Sequence, residues 1–295
     1  MKPCGPSFVW LGAMSVRITC LELATGGFPE GLLGVEPRPE ALWLRGREEL
    51  LRAPLRLGVV GTRSPSPYGV AQARRFATAI VEAGGVVVSG LARGIDQAAH
   101  RAALDAGGDT IAVLGCGVDR PWPADPLADE VAESGLLLSE YPPGQAPRRH
   151  HFPMRNRLIS GLSSGVLVVE AAYASGSLIT ARWAVEQGRE VWAIPGRVDH
   201  PMSRGTHRLL REGAALIEDP AELFVGERVE GAPAMESLDD PVLRALVGET
   251  RHADELASVL EAPVDQVLAK LARFELEGRV VRAPGGLFRL AMHAR

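Results

Sequence analysis

From residue 55 onward the apolar positions fall into short unbroken blocks, separated by longer stretches at helical spacing. Residues 57–60, 85–90, 110–114, 136–138, 166–169, 191–194 and 214–217 read as strands. Residues 70–83, 95–106, 178–187 and 204–211 read as helices. Apolar blocks without alternation have both faces covered, as in a parallel sheet lying between helix layers. Right-handed crossovers wind such a chain into an α/β fold with an extended, Rossmann-like, doubly wound, mostly parallel sheet.

The pattern changes at both ends. Residues 28–33 and 41–51 are expected to form short helices that pack on the core. The apolar run 8–24 is interrupted by Arg17 and Glu22, and reads as a helix or a loosely packed start. Met14 offers a second start position. Residues 226–238 are rich in Gly, Glu and Pro and read as a linker. Beyond it, 242–247, 253–260 and 264–275 have helical spacing, and strands 280–282 and 287–290 flank Pro284-Gly285-Gly286. Three short helices and a hairpin make a winged helix. The expected plan is an N-terminal segment 1–54, a Rossmann-like domain 55–225, the linker and a winged-helix domain 239–295.

Composition narrows the class. The chain has 295 residues, 46% of them hydrophobic and 23% charged, enough for one large domain and one small one. Lys2 and Lys270 are the only lysines, so chemistry that needs a lysine has little room. Cys4, Cys20 and Cys116 form no C-x-x-C pair, which suits a reducing cytoplasm and excludes a disulfide framework or zinc site. No apolar run is long enough for a membrane helix. A cytoplasmic protein without a membrane partner is expected.

In a parallel sheet, ligands bind beyond the carboxyl ends of the strands, where the strand order reverses. Gly61, Thr62, Arg63 and Ser64 follow the first strand, and Ser89, Gly90, Arg93 and Gly94 end and follow the second. Gly115, Cys116, Gly117 and Asp119 follow the third; later strands lead to Glu170 and to Pro195-Gly196. G-V-V-G-T-R at 58–63 lacks the three-glycine dinucleotide fingerprint, and no acidic residue ends the second strand to hold a ribose. Neither lysine follows a glycine, which excludes a Walker loop. His150 and His151 are adjacent and unlike the i, i+4 pair that grips a metal. Ser89, Asp96 and His100 lack a G-x-S-x-G elbow. No cofactor, no metal and no catalytic residue is expected.

Residues 147–163 carry Arg148, Arg149, Arg155 and Arg157 around Phe152, and no Asp or Glu occurs between Glu140 and Glu170. A chain of net charge -4 thus gathers uncompensated positive charge in one place. Guanidiniums beside an exposed ring suit a polyanion with stackable bases, single-stranded nucleic acid. Phe152, between His151 and Pro153, fits either a core position or a stacking platform. Asp96, Glu140 and Glu170 read as caps or as partners of nearby arginines.

These motifs resemble the DNA-processing protein A (DprA/Smf) family: G-T-R-S at 61–64, S-G-L-A-R-G-I-D at 89–96, G-C-G-V-D-R-P-W-P at 115–123, S-E-Y-P-P-G at 139–144, F-P-M-R-N-R-L-I-S-G-L-S at 152–163, E-A-A-Y-A-S-G-S-L-I-T-A at 170–181 and V-W-A-I-P-G at 191–196. The resemblance spans about 28–224. It implies a homodimeric single-stranded-DNA-binding mediator that protects incoming DNA and loads the RecA recombinase during natural transformation. It implies DNA contacts from Arg63, from Arg93, and from the motif holding Phe152, Arg155, Asn156 and Arg157, with Phe152 stacking on a base. Arg148 or Arg149 would replace a lysine of some members. Arg197, Arg204 and Thr206 belong to a later loop of the same rim.

Many members carry a helical N-terminal module; the first 50 or so residues here are too few for a complete one, so it is expected to be truncated or absent. The winged helix carries Asp265 and Glu275 beside Lys270 and Arg273, which suits a protein contact or weak DNA binding. Two other functions stay in view. One is a Rossmann-like nucleotide hydrolase with Glu170 as its carboxylate, since Pro195-Gly196 and Gly205-Thr206 echo a phosphate loop. The other is a winged-helix regulator with a ligand-sensing domain.

Overall fold

The computed structural model describes residues 7–11, 14–25, 27–224, 240–246, 251–260, 262–277, 279–283 and 286–290. The chain divides into two compact units, Met1–Glu230 and Gly231–Arg295. The expected linker 226–238 lies outside the described residues.

The larger unit is built on one sheet with strand order β1-β2-β3-β7-β6-β5-β4-β8-β9-β10. The strands are β1 Ser7–Leu11, β2 Met14–Glu22, β3 Ala41–Gly46, β4 Arg56–Val60 and β5 Val86–Ser89. They continue with β6 Asp109–Leu114, β7 Leu136–Ser139, β8 Gly165–Val168, β9 Glu190–Ala193 and β10 Ala215–Leu216. From β7 across to β10 every pairing is parallel. The chain lays β5, β6 and β7 on one side of β4, then returns to place β8 on the other. The strand order therefore reverses between β4 and β8.

The helices are α1 Glu30–Leu33, α2 Pro67–Glu82, α3 Ile95–Asp105, α4 Leu127–Ser134, α5 His151–Leu162, α6 Ser177–Glu186 and α7 Arg204–Arg211. They cover both faces because successive strand residues point to opposite sides. Val86 and Val88 of β5 join a core with Leu158, Ile159 and Leu162 of α5 and Ala181 and Ala184 of α6. Val87 joins Ala73, Phe76 and Ile80 of α2 and Ala99, Ala102 and Ala103 of α3. Helix α2 starts three residues before the expected position. Ser66 caps it, its Oγ accepting from Gly69 N at 3.1 Å, and Pro67 occupies the first helical position.

Two expectations for the N-terminal segment are corrected. Residues 41–46 form strand β3, with Leu42 and Leu44 buried at period two, and only Glu48–Arg52 coils, as a 3-10 turn. Trp43 and Leu44 pair antiparallel with β7, so packing against a ready sheet edge overrides the helical spacing. The apolar run 8–24 contributes the antiparallel strands β1 and β2, with β2 paired to β3. This segment widens the sheet instead of forming a reduced helical module. Helix α4 was not foreseen.

The smaller unit has α8 Pro241–Arg244, α9 Ala253–Val259 and α10 Val264–Leu276, followed by β11 Val280–Ala283 and β12 Leu287–Leu290 as an antiparallel hairpin. Leu243, Leu246, Leu256, Val267, Leu271, Phe274 and Phe288 form its core. It is the winged helix expected from the spacing. No helix among the described residues is long and apolar enough to cross a membrane.

Candidate nucleic-acid interface

At the reversal point three strand-end loops are bonded to one another. Thr62 N donates to Glu170 O at 2.7 Å, and Ile95 N donates to Thr62 O at 3.2 Å. Gly94 has φ +91°, and a Cβ there would lie 2.4 Å from Thr62 O. Gly61 has no room either: a Cβ would lie 2.6 Å from the Ile95 side chain. Both glycines let backbones close, so Arg63 and Arg93 stand on two loops bonded to each other. Helices α2, α3 and α5 begin at this same edge and add the partial positive charge of their first turns.

Glu170 is only 3% exposed and is spent on the fold. Its Oε2 accepts from Ser66 N at 2.9 Å and its Oε1 from Ser66 Oγ at 2.6 Å. It fixes the start of α2, the capping role of the two expected for it, and forms no ion pair with an arginine among the described residues. Ser89 Oγ donates to Val59 O at 2.6 Å, while His100 Nδ1 lies 2.7 Å from Thr110 Oγ1. Burial drives His100 down to about 3, and nearby Arg155 adds to it, so the ring stays neutral. Ser89, Asp96 and His100 therefore form no nucleophilic relay.

The basic stretch is a helix rather than a loop from His151 onward, and helical spacing sorts its residues. Phe152 lies in the first turn of α5, half-buried. Its ring sits over Gly115, where a Cβ would come within 3.1 Å of Cδ1, and the Arg63 guanidinium lies 5.8 Å from the ring centroid. One ring face thus meets a cation at the rim. His151 turns inward, stacked on Tyr141 with centroids 3.8 Å apart, its Nδ1 2.9 Å from Gly115 O. Burial holds the His151 pKa below its ordinary value and raises Tyr141 to about 12. Among the described residues no group of three His, Cys, Asp or Glu is arranged to hold a metal.

Arg155 and Arg157 correct the sequence expectation. Neither guanidinium reaches the surface: Arg155 is 3% exposed and Arg157 2%. Arg155 Nη1 donates to Gly90 O at 2.6 Å and also to Val113 O. A Cβ on Gly90 would sit 2.4 Å from that guanidinium. Burial lowers Arg155 to about 10, opposed by the Asp96 charge, so it stays cationic at neutral pH. Arg157 binds Glu140 through both Nη atoms at 2.7 Å and donates from Nε to Pro37 O at 2.8 Å. Carboxylates absent from the local sequence are supplied by other strands and helices. Asn156, half-buried, donates to Gly176 O at 3.3 Å.

Thr62 and Ser89 are likewise buried, which leaves their side chains no contact with a ligand. Arg63, Ser64, Arg93, Arg148 and Arg149 are exposed, and these four arginines form no ion pair among the described residues. In the later loop Arg197 pairs with Asp199 at 2.7 Å, Thr206 is buried and Arg204 is exposed.

Fold and site define a class: a doubly wound α/β protein whose sheet reversal presents unpaired arginines and a ring in place of a dinucleotide fingerprint. The family model for DNA recombination-mediator protein A matches residues 19–226, and the DprA winged helix domain matches 227–286. The chain belongs to this DprA/Smf family. It is 41% identical over 288 residues to protein Smf of Escherichia coli (strain K12), covering 91% of this chain and 77% of that one. To DNA processing protein DprA of Bacillus subtilis (strain 168) it is 42% identical over 209 residues, 70% of each chain. The X-ray structure of DNA processing protein A from Streptococcus pneumoniae superposes with TM-score 0.68 at 41% identity, covering 72% of this chain and 75% of that one. DNA processing protein A from Helicobacter pylori, solved to describe its single-stranded DNA binding mode, superposes with TM-score 0.65 at 32% identity, covering 70% and 94%.

Arg157→Ala is expected to cost about 3–5 kcal/mol of stability, because it leaves the Glu140 carboxylate without its partner. A urea unfolding shift below about 1 kcal/mol would return Arg157 to a surface role. Asp96 supplies a pH test. Burial raises its carboxyl to about 6 against the pull of Arg155. A raised carboxyl contributes stability that is complete below its unfolded value of about 4 and is lost as pH rises through its folded value. Relative to Asp96→Asn, the wild type should therefore lose stability from about pH 4 to about pH 6, by at most about 1.4 kcal/mol per unit. A flat difference across that window would refute the buried charge.

Proposed function

We propose that this chain is a non-enzymatic, cytoplasmic single-strand DNA-binding mediator that protects incoming DNA and loads RecA during natural transformation, acting as a homodimer. The observation that carries the DNA contact is the half-exposed ring of Phe152 beside the unpaired guanidinium of Arg63 at the sheet reversal. Phosphates would meet Arg63, Arg93, Arg148 and Arg149, and a base would stack on Phe152. A duplex hides its base faces, which gives the preference for single strands. Arg155, Asn156 and Arg157 hold this rim from behind. The single-stranded DNA binding of the Helicobacter pylori relative supports single strands as the ligand. The mediator role rests on the family description, since a mediator acts by placing a recombinase on the strand. The nucleotide-hydrolase alternative loses its carboxylate, because Glu170 is engaged by Ser66.

Arg63→Ala is expected to weaken oligonucleotide binding and to flatten the log affinity against log salt slope by about 0.7, the share of one phosphate on a single strand. Phe152→Ala should cost about 1–3 kcal/mol on a normal oligonucleotide and much less on an abasic strand. Fluorescence anisotropy across salt reads both; an unchanged slope, or equal losses on both strands, would sink the assignment. For the mediator role, the protein should accelerate RecA assembly on single strands already coated by a single-strand-binding protein. RecA ATPase onset unaffected by its addition would remove that part.

A further inference from the structure

Trp122 is 55% exposed, whereas Trp43, Trp183 and Trp192 are partly covered. It lies on the loop between β6 and α4, at the same carboxyl edge of the sheet as Arg63 and Phe152. That loop begins at Gly115, beneath the Phe152 ring. The loop is held from both sides. Gly117 N donates to Gln145 O at 2.9 Å, and Gly144 N donates to the Asp119 carboxylate at 2.9 Å. Gln97 of α3 donates to Asp125 Oδ2 at 3.3 Å, and Asp125 Oδ1 takes Leu127 N at 3.0 Å. Both acids of the loop are thus engaged in shaping it. Arg120 and, on the neighbouring β5 loop, Arg93 are exposed and form no ion pair among the described residues.

An indole held this open on a bonded loop, with an unpaired arginine two residues before it and another on the adjacent loop, has the chemistry of a stacking surface on a polyanion. We propose that Trp122 is a second base-stacking platform, which extends the single-strand path from Phe152 toward the β6–β7 side of the rim, with Arg93 and Arg120 taking phosphates along it. This rests on the proposal that the rim binds single-stranded DNA. Two platforms on one rigid edge bind cooperatively by effective concentration: a strand long enough to reach both gains the second stack without a second association step.

The test uses the full chain and labelled oligothymidylates of increasing length. Trp122→Leu should match the wild type on the shortest strand that binds. It should lose affinity on longer strands by about tenfold or more, the scale of one stacked base. Trp122→Tyr should restore most of that loss, and saturating oligonucleotide should quench less of the intrinsic tryptophan emission in Trp122→Leu than in the wild type. Equal affinities of wild type and Trp122→Leu at every length would overturn the platform. So would a loss that tracks conversion of a dimer to a monomer in sedimentation, since Trp122 would then be a subunit contact. Wild-type binding that Phe152→Ala removes and Trp122→Leu spares would overturn this inference alone. Failure of the wild type to bind any single strand would overturn the rim assignment with it.

Discussion

One buried cation organises the rim. The Arg155 guanidinium lies under the strand ends, bonded to carbonyls from the β5 loop and from β6, with Asp96 of α3 as its counter-charge. Taking a guanidinium out of water costs several kcal/mol, so it persists only where such partners are in place. Those partners belong to three different elements. Satisfying the cation therefore fixes α5 against β5, β6 and α3 at once. Phe152 sits three residues earlier on the same helix face, so its ring is positioned by the same constraint. Gly90 must be glycine because the guanidinium occupies the space a side chain would need.

The second constraint is the bonded seam between the loops after β4, β5 and β8. Parallel sheets leave a crevice where strand order reverses, and many proteins fill it with a cofactor. Here Thr62, Ile95 and the Glu170 carbonyl close the seam with backbone hydrogen bonds. The Glu170 carboxylate is turned onto Ser66. What is left facing solvent there is arginine and a half-buried ring. Because the free guanidiniums stand on loops tied to the scaffold, little ordering has to occur when a ligand arrives.

Much of the fold was legible in the chain. The seven parallel strands and helices α2, α3, α6 and α7 could be placed, because a sheet covered on both faces needs unbroken apolar blocks with helical spacing between them. The winged helix followed from its spacing and its turn. Strand β3 is not legible in the chain, because the alternation of Ala41–Gly46 spans only six residues and its identity depends on pairing with β7. Within the candidate site, Arg63 and Arg93 could be named from their places after strands, whereas Phe152 is open between core and rim on spacing alone and takes its stacking role from the family resemblance. The exposure of Trp122 is not legible in the chain: an isolated aromatic in a Pro-rich loop gives no sign of whether it faces the core or the solvent.

The amino-acid order by itself determined the layered α/β class, the loops that form the binding edge and the residue types available there, because periodicity and strand-end position are local properties. Which of those residues face solvent was decided only in three dimensions. Arg155 and Arg157 stand in the same basic run as Arg148 and Arg149, yet the first pair is neutralised by Asp96 and by Glu140, 59 and 17 positions away in the chain. Charge compensation depends on distance through space, and no window along the sequence measures it.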